Sequence, residues 1–498
     1  MTVPTSNTSK VVKGMSSQTL VTIILGIVEI ISFSIMSRLL TQEDFGYYAA
    51  ITAITVVFAT FSETGIGSAI VQQKTLTKHY VDNAFTLSLA FGGFISVLLF
   101  VLARPLSRMV ADESMKVPLM LMSGTLLLNC LTSVNVSLMH RRLQFLRMGL
   151  INLISLVFTT CIAVWLAYEG YGYYAIIAKA VLGSVITFIL SLVLCGTRFG
   201  LDFDKHTIKT IFSFSGWLMA SSLFRNLSHQ VDKLLMPNLL SVNALGAYNR
   251  PKDFVEQIST KINSIFDSAL FPVLSGIQDN REALKSAFKR STYLMNIFAL
   301  LITMGFMFNS ELLIRVFFGD QWTNLTNVFF VVSCTLLFNV DGRLADCYLR
   351  SLAMTKQQFY FRVFEFVIKT IGVLIGFKCG IMGVAISILV TNFIAKIIKI
   401  VYIGEKVAVK PIETIGIILS SWRYGLIMIP ICTVSYIFLP NTWTGDIVMA
   451  VIFKLLVLAI FFFMPLFVGQ QYHDDVYVKV LSYLKNKTGY KEGYSKKQ

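Results

Sequence analysis

Apolar segments about 20 residues long recur along the whole chain, and they constrain its fold more than any other feature. A helix of about 20 residues crosses the hydrocarbon core of a bilayer, so each segment predicts a membrane span. The chain of 498 residues is 55% hydrophobic and only 14% charged, which excludes a soluble protein. We place fourteen spans at residues 19–38, 46–65, 83–103, 117–138, 149–168, 173–195, 211–237, 245–271, 290–309, 326–349, 359–377, 381–403, 414–438 and 446–468.

Basic residues alternate between the loops and predict the orientation of these spans. One set of loops is rich in Lys and Arg, whereas the other holds little beyond Arg104, Arg108, Lys116, Arg315 and Lys378. Basic loops remain on the cytoplasmic side, so both termini are predicted to be cytoplasmic. The net charge of +16 is scattered between apolar segments, a pattern that predicts no nucleic-acid partner. No cleavage-site pattern follows the N-terminal segment, so we expect the first span to stay in the mature protein.

An internal repeat divides the chain into two similar parts. The sequence LLTQEDFGYY begins at Leu39 and LLSVNALGAY at Leu239, an offset of 200 that pairs Gly46 with Gly246. Both copies follow odd-numbered spans and therefore have the same orientation, which is typical of transporters with parallel repeats. The predicted fold is an all-α membrane protein with two pseudo-symmetric six-helix lobes and two further helices. Its segments are 1–18 (cytoplasmic), 19–200 (first lobe), 201–410 (second lobe), 411–470 (spans thirteen and fourteen) and 471–498 (basic cytoplasmic tail).

Several motifs together carry a family resemblance over roughly residues 15 to 405. They are SRLLTQEDFGYYAA, FSETGIGSAIVQQKTLT, VDKLLMPNLLSVNALGAYNR, ALFPVLSGIQDNREALKSAFKRS and VFFGDQW. In this order they resemble the polysaccharide-flippase branch of the multidrug/oligosaccharidyl-lipid/polysaccharide exporter superfamily.

The resemblance implies a bacterial inner-membrane protein that moves an undecaprenyl-diphosphate-linked oligosaccharide to the periplasmic leaflet for surface polysaccharides such as lipopolysaccharide. It implies two lobes around a central cavity that opens alternately to either side, with spans one, two, seven and eight lining that cavity. Membrane lipids, a polysaccharide polymerase and the chain-length machinery are the partners that it suggests.

Charged residues at helical spacing mark spans seven and eight as candidates for the cavity. Arg225, His229 and Asp232 share an arc of about 60° on a helix. This stripe on span seven and a second one on span eight lie near mid-membrane, where ionisable groups face a bundle interior or an aqueous cavity. Arginine offers a charged fork for phosphate, so we expect Arg225 to bind the diphosphate. The alternative is that Arg225 and Glu256 only pin the two helices, with His229 packed neutral between helices. The stripe on span eight comprises Glu256, Thr260, Asn263 and Asp267.

Other charged residues inside the spans are candidates for coupling, for structural pairing or for the cavity wall. Glu29 in span one is a candidate coupling site for a cation or proton, or it is a protonated group bonded to a neighbouring helix. Arg343, Asp346 and Arg350 are three and four residues apart, a spacing that predicts mutual pairing in a structural charge network. Lys179 in span six is expected to face the cavity or its edge. Transport is expected to use an H⁺ or Na⁺ gradient or the membrane potential, without a cofactor or metal.

No enzyme motif is present, since the chain contains no P-loop, HExxH or GxSxG sequence. A polymerase or glycosyltransferase would need a large hydrophilic loop, and no predicted loop exceeds roughly twenty residues. A cation-coupled multidrug exporter of the same superfamily is the main alternative. Its cavity should favour carboxylates over a central arginine, so Arg225 disfavours that alternative.

Overall fold

The computed structural model describes residues 21, 24–62, 66–67, 70, 73, 76–110, 112–197 and 199–423. Within this part every regular element is a helix, in agreement with the predicted all-α class. The fourteenth predicted span, both termini and the basic tail lie outside these residues.

Twelve long helices correspond to the first twelve predicted spans, and a thirteenth begins where the next was predicted. Seven helical stretches of the described residues are long and apolar enough to cross a membrane. They contain α3–α6 and α9–α12, but not α1, α2, α7 or α8. A short helix, Ser310–Phe317, precedes α10. The bounds are α1 24–39, α2 Gln42–Ser62, α3 Lys78–Val110, α4 Lys116–Arg141, α5 Phe145–Tyr168, α6 Tyr173–Cys195, α7 Lys205–Leu239, α8 Val242–Gly276, α9 Arg281–Phe308, α10 Thr326–Ser351, α11 Thr355–Gly376, α12 Gly380–Lys406 and α13 411–423.

The helices pack in two groups that meet through α2. In the first group α4 packs on α3 and α6, and α6 also packs on α5. In the second group α7 packs on α11, while α12 packs on both α10 and α11. Helix α2 contacts α7 and α8 of the second group, so the two helices with the predicted charged stripes lie at the boundary between the groups.

The two glycines paired by the sequence repeat lie at this boundary and contact each other's helices. A Cβ atom on Gly46 would lie 2.0 Å from the carbonyl oxygen of Val242. A Cβ atom on Gly246 would lie 1.7 Å from the carbonyl oxygen of Gln42. The contact is reciprocal, since Gln42 and Val242 are themselves separated by the repeat offset of 200. Only glycine permits so close an approach of two membrane helices.

Hydrogen bonds join the two groups at the same end of the bundle. Arg38, at the end of α1, donates to the carbonyl of Val316 at 2.9 Å. The indole nitrogen of Trp322 donates to the carbonyl of Ser37 at 2.8 Å. The side-chain amide of Asn238 donates to the carbonyl of Met109 at 2.5 Å. These bonds therefore close the end that the loop charges predict to face away from the cytoplasm.

Candidate functional site: two polar cavities

A polar cavity of about 420 Å³ lies among α7, α8, α10, α11 and α12, and we call it the second-lobe cavity. The helical stripes predicted from the sequence supply much of its wall. Arg225 and His229 enter from α7, and Glu256 and Asn263 enter from α8. Thr260 also lies on this wall. The side chain of Asp267 lies outside the described part of α8.

Asp232 does not line the second-lobe cavity, although it shares the stripe of Arg225. Its side chain is 2% exposed and forms an ion pair with Lys252 of α8. The Tyr248 hydroxyl donates to the same carboxylate at 3.0 Å. A second pair, Lys233 with Asp253 at 3.1 Å, runs beside the first. Asp232 therefore joins α7 to α8, because a buried carboxylate requires cationic and hydrogen-bonding partners.

Asp346 is part of a charge network, but its partners differ from those predicted. Its carboxylate accepts from Arg362 at 2.5 Å and from Lys399 at 3.3 Å. Glu365 accepts from Arg362 at 2.8 Å and also pairs with Lys399. The network thus connects α10, α11 and α12, whereas the sequence predicted pairing along α10 alone. Buried carboxylates gain more from several partners in low dielectric than from one helical neighbour, which contributes roughly 0.2–0.5 kcal/mol.

The two arginines predicted to share this network with Asp346 have other positions. Arg343 lines the second-lobe cavity. Arg350 donates through Nε to the backbone carbonyl of Asp346 at 3.4 Å, and its guanidinium lies 5.7 Å from the centre of the Phe271 ring. The predicted pairing of Arg343 with the carboxylate of Asp346 is therefore wrong within the described structure.

The second-lobe cavity has more positive than negative side chains. Two of its three acids, Asp346 and Glu365, are bound by Arg362 and Lys399. Neither Arg343 nor Lys369 forms an ion pair or hydrogen bond with any described residue. The cavity is therefore suited to an anionic ligand. Its charged walls comprise the bases Arg225, Arg343, Arg362, Lys369, Lys396 and Lys399 and the acids Glu256, Asp346 and Glu365.

A larger cavity of about 840 Å³ lies among α1, α2, α4, α5, α6 and α8, and we call it the inter-lobe cavity. Glu29 lines it and forms an ion pair with Lys261 of α8 at 2.9 Å, so this carboxylate has a partner from the other lobe. Lys179 also lines it and donates to the hydroxyl of Ser32. The position of Lys179, open in the sequence, is thus the cavity rather than its edge.

Sequence reasoning missed Arg250, which connects α8 to α1. Its guanidinium lies 3.4 Å from the centre of the Phe33 ring and 4.0 Å from that of Phe45. It also donates to the Ser37 hydroxyl at 2.8 Å. Arg250 immediately precedes a proline in α8 and does not lie on the predicted stripe of Glu256, Thr260, Asn263 and Asp267. No pattern in the sequence therefore distinguished it from a surface arginine.

Comparison with known proteins identifies relatives for this architecture. A family described as polysaccharide biosynthesis protein matches residues 35–327. The lipopolysaccharide biosynthesis protein WzxC of Escherichia coli (strain K12) is 22% identical over 86% of this chain and 87% of its own length. The teichuronic acid biosynthesis protein TuaB of Bacillus subtilis (strain 168) is 22% identical over 68% of this chain and 71% of its own length.

Solved structures share the fold at low sequence identity. The lipid II flippase MurJ in an inward closed conformation has a TM-score of 0.69 and 16% identity, covering 90% of this chain and 98% of the flippase. An inward-facing multidrug resistance MATE transporter has a TM-score of 0.64 and 13% identity, covering 77% of this chain and 94% of the transporter. The fold is therefore that of transporters in the superfamily indicated by the sequence motifs.

Proposed function

The chain belongs to the polysaccharide biosynthesis protein family, and we propose that it moves undecaprenyl-diphosphate-linked oligosaccharide across the bacterial inner membrane by alternating access. Relatives named for lipopolysaccharide and teichuronic acid biosynthesis support a role in surface polysaccharides. A structural neighbour named as a lipid II flippase supports a lipid-linked cargo. The cargo would be flipped towards the periplasm and delivered to a polysaccharide polymerase and its chain-length machinery.

The surplus of positive charge in the second-lobe cavity is the observation that carries this proposal. An uncompensated cation within a membrane bundle costs several kcal/mol unless water or a ligand replaces its hydration. Arg343 is such a cation, and Lys369 of the same cavity is compensated only in part, by acids that also interact with other lysines. The diphosphate of a lipid carrier supplies the missing negative charge. A cationic drug would instead be repelled, so the cavity disfavours the multidrug alternative.

We propose that Arg225, Arg343 and Lys369 bind the diphosphate. Glu256 lies on the same wall and holds Arg225 in place when no cargo is bound. Glu256 lies 3.8 Å from Lys252 and is 34% exposed, so it is accessible from the cavity. Arginine can bind a phosphate with two parallel N–H bonds, which lysine cannot do. Arg225→Lys should therefore lose transport although it keeps the charge.

A double-mutant experiment separates this role from a static pair of helices. If Arg225 binds cargo, Arg225→Ala should lose more transport than Glu256→Ala, and the double variant should stay inactive although folded. If the two residues only hold α7 to α8, each single variant should lose roughly 3–5 kcal/mol of stability and the double variant should recover. The readout is lipid-linked glycan accumulating on the cytoplasmic side, normalised to folded protein. A double variant with normal transport would refute phosphate binding by Arg225.

We propose that Glu29 couples transport to an H⁺ or Na⁺ gradient or to the membrane potential. The Lys261 ammonium neutralises its carboxylate in this conformation, and a proton or Na⁺ would replace the ammonium when the lobes separate. Glu29→Gln should slow turnover and flatten its dependence on the gradient, because a neutral amide cannot release the Lys261 ammonium and bind a proton or Na⁺ instead. Transport in proteoliposomes with imposed gradients measures this effect. Wild-type gradient dependence in the folded variant would reduce the pair to a structural contact.

A further inference from the structure

The wall of the inter-lobe cavity is rich in uncharged polar groups. Three side-chain amides line it, from Asn129, Asn152 and Gln257. None of the three forms a hydrogen bond with a described residue. An amide has both donors and acceptors, and leaving them unused inside a bundle is unfavourable unless water or a ligand bonds to them. The cavity is therefore prepared for a ligand with many hydroxyl groups. Hydroxyl side chains of Ser155, Thr159, Ser184 and Thr187 line the same space.

Charge in this cavity is almost fully compensated, with one accessible exception. Glu29 pairs with Lys261 at 2.9 Å, and Asp253 pairs with Lys233 at 3.1 Å. Arg250 also lines the cavity, but it is 8% exposed, and its guanidinium is covered by two phenylalanine rings and donates to the Ser37 hydroxyl. Lys179 bonds to the Ser32 hydroxyl, and no described carboxylate lies within ion-pair distance of its ammonium. The cavity thus offers one open positive charge among amides and hydroxyls.

The two cavities therefore differ in the anion that each can bind. The second-lobe cavity has several cations and arginine forks, which match the multiple charges of a diphosphate. The inter-lobe cavity has a single open ammonium, whose one charge is balanced by one singly charged group such as a carboxylate. Its volume of about 840 Å³ lies in the range of about 300–1,000 Å³ that ligand pockets occupy.

We propose that the inter-lobe cavity is the subsite for the glycan and that Lys179 binds the carboxylate of an acidic sugar in it. The assignment rests on the proposed function, because it gives the glycan and the diphosphate of one cargo to different cavities. Asn152 and Gln257 bond to sugar hydroxyls in this arrangement. Helix α8 contributes Gln257 to this wall and Glu256 to the other, so the two subsites are adjacent.

Binding to the full-length protein in lipid nanodiscs tests the assignment with three probes. The first is a free disaccharide of glucuronic acid and N-acetylglucosamine, the second has glucose in place of glucuronic acid, and the third is undecaprenyl diphosphate. The wild type should bind the glucuronyl probe about tenfold more tightly than the glucosyl probe, the ratio expected for one charge-assisted hydrogen bond. Lys179→Gln should abolish this preference and leave the affinity for undecaprenyl diphosphate unchanged.

Matched variants keep the test independent of folding. Lys179→Arg retains the charge and should retain most of the preference, whereas Asn152→Ala should weaken both disaccharides equally. Equal affinity of the wild type for the two disaccharides would overturn the proposal. So would an equal loss of undecaprenyl diphosphate binding in Lys179→Gln, which would make Lys179 a phosphate ligand. If the disaccharide preference is present but undecaprenyl diphosphate is not bound, the glycan subsite stands and the proposed lipid-linked cargo fails.

Discussion

Two arginines line the same cavity, but only one of them is ion-paired to described residues. The side chain of Arg362 is 10% exposed and bonds to the carboxylates of Asp346 and Glu365. Arg343 faces the cavity without an ion pair or hydrogen bond to any described residue. The first arginine therefore stabilises the packing of α10 against α11, and the second is available for a ligand. Sequence alone does not separate them, since both lie on apolar helices with an acid three residues away.

Neutralising each arginine should separate these roles. Arg362→Gln strands two buried carboxylates beside Lys399, so we expect a loss of roughly 3–5 kcal/mol in unfolding free energy. Arg343→Gln removes an unpaired charge, so stability should stay within about 0.5 kcal/mol while transport falls. Thermal unfolding in detergent and transport in cells measure the two effects. Equal destabilisation by both substitutions would contradict the distinction.

Helical period predicted which residues share a face, but not which partner each one meets. Spacings of three and four residues placed Arg225 and His229 on one face of α7, and Glu256 and Asn263 on one face of α8. These four side chains do line one cavity. The partners of Asp346 come from two other helices, and the closer of them in sequence is 16 residues away. Their identity depends on how neighbouring helices are rotated, which a single sequence does not contain.

Among the elements, the predicted spans match some helices closely and are shorter than others. The sixth span was placed at 173–195, and α6 is Tyr173–Cys195. The seventh was placed at 211–237, whereas α7 extends over Lys205–Leu239. A hydropathy window detects only the part of a helix that lies in hydrocarbon, while helical hydrogen bonds continue into the polar turns beyond it.

The crossing of α2 and α8 gives a prediction at the scale of elements. Gly46→Val or Gly246→Val should force the helices apart, because a Cβ atom on either glycine would overlap a backbone carbonyl. Spin labels at positions 171 and 320, on exposed residues of the two groups, should then report longer distances. Gly93→Val and Gly124→Val are controls, since a Cβ atom there has nothing within 4 Å. An unchanged distance distribution in folded Gly246→Val would show that this crossing does not hold the end closed.

At the scale of the whole molecule, four helices near the boundary between the two groups supply polar and charged side chains to the cavities. Helices α1, α2 and α8 line the inter-lobe cavity, and α7 and α8 line the second-lobe cavity. Helices α7 and α8 are the polar members of this set, with charged residues at helical spacing. The polarity of α7 and α8 is compatible with a bilayer because their charged side chains face neighbouring helices and the cavities. The resemblance implied this set of helices, but it did not indicate two cavities with different chemistry.

The repeat was the strongest whole-molecule signal in the sequence, and its physical meaning is now visible. The offset of 200 pairs two glycines whose helices cross at the boundary between the groups. The proposed alternating access requires this boundary to open, and the hydrogen bonds of Arg38, Trp322 and Asn238 at the same end to break. Side-chain packing determines which of the remaining helices move together with each lobe when the boundary opens. The weak sequence repeat does not specify that packing.

Flipping by the purified protein tests the central claim most directly. Liposomes would contain undecaprenyl-diphosphate-linked oligosaccharide with a nitrobenzoxadiazole label on the glycan, and dithionite added outside would reduce only the outer-leaflet label. We expect the wild type to expose the inner-leaflet pool, and the folded Arg343→Gln/Lys369→Gln double variant to leave it protected. A phospholipid with the same label should stay protected in both. Protection of the glycan in wild-type vesicles as in protein-free vesicles, or full exposure by the double variant, would contradict the account.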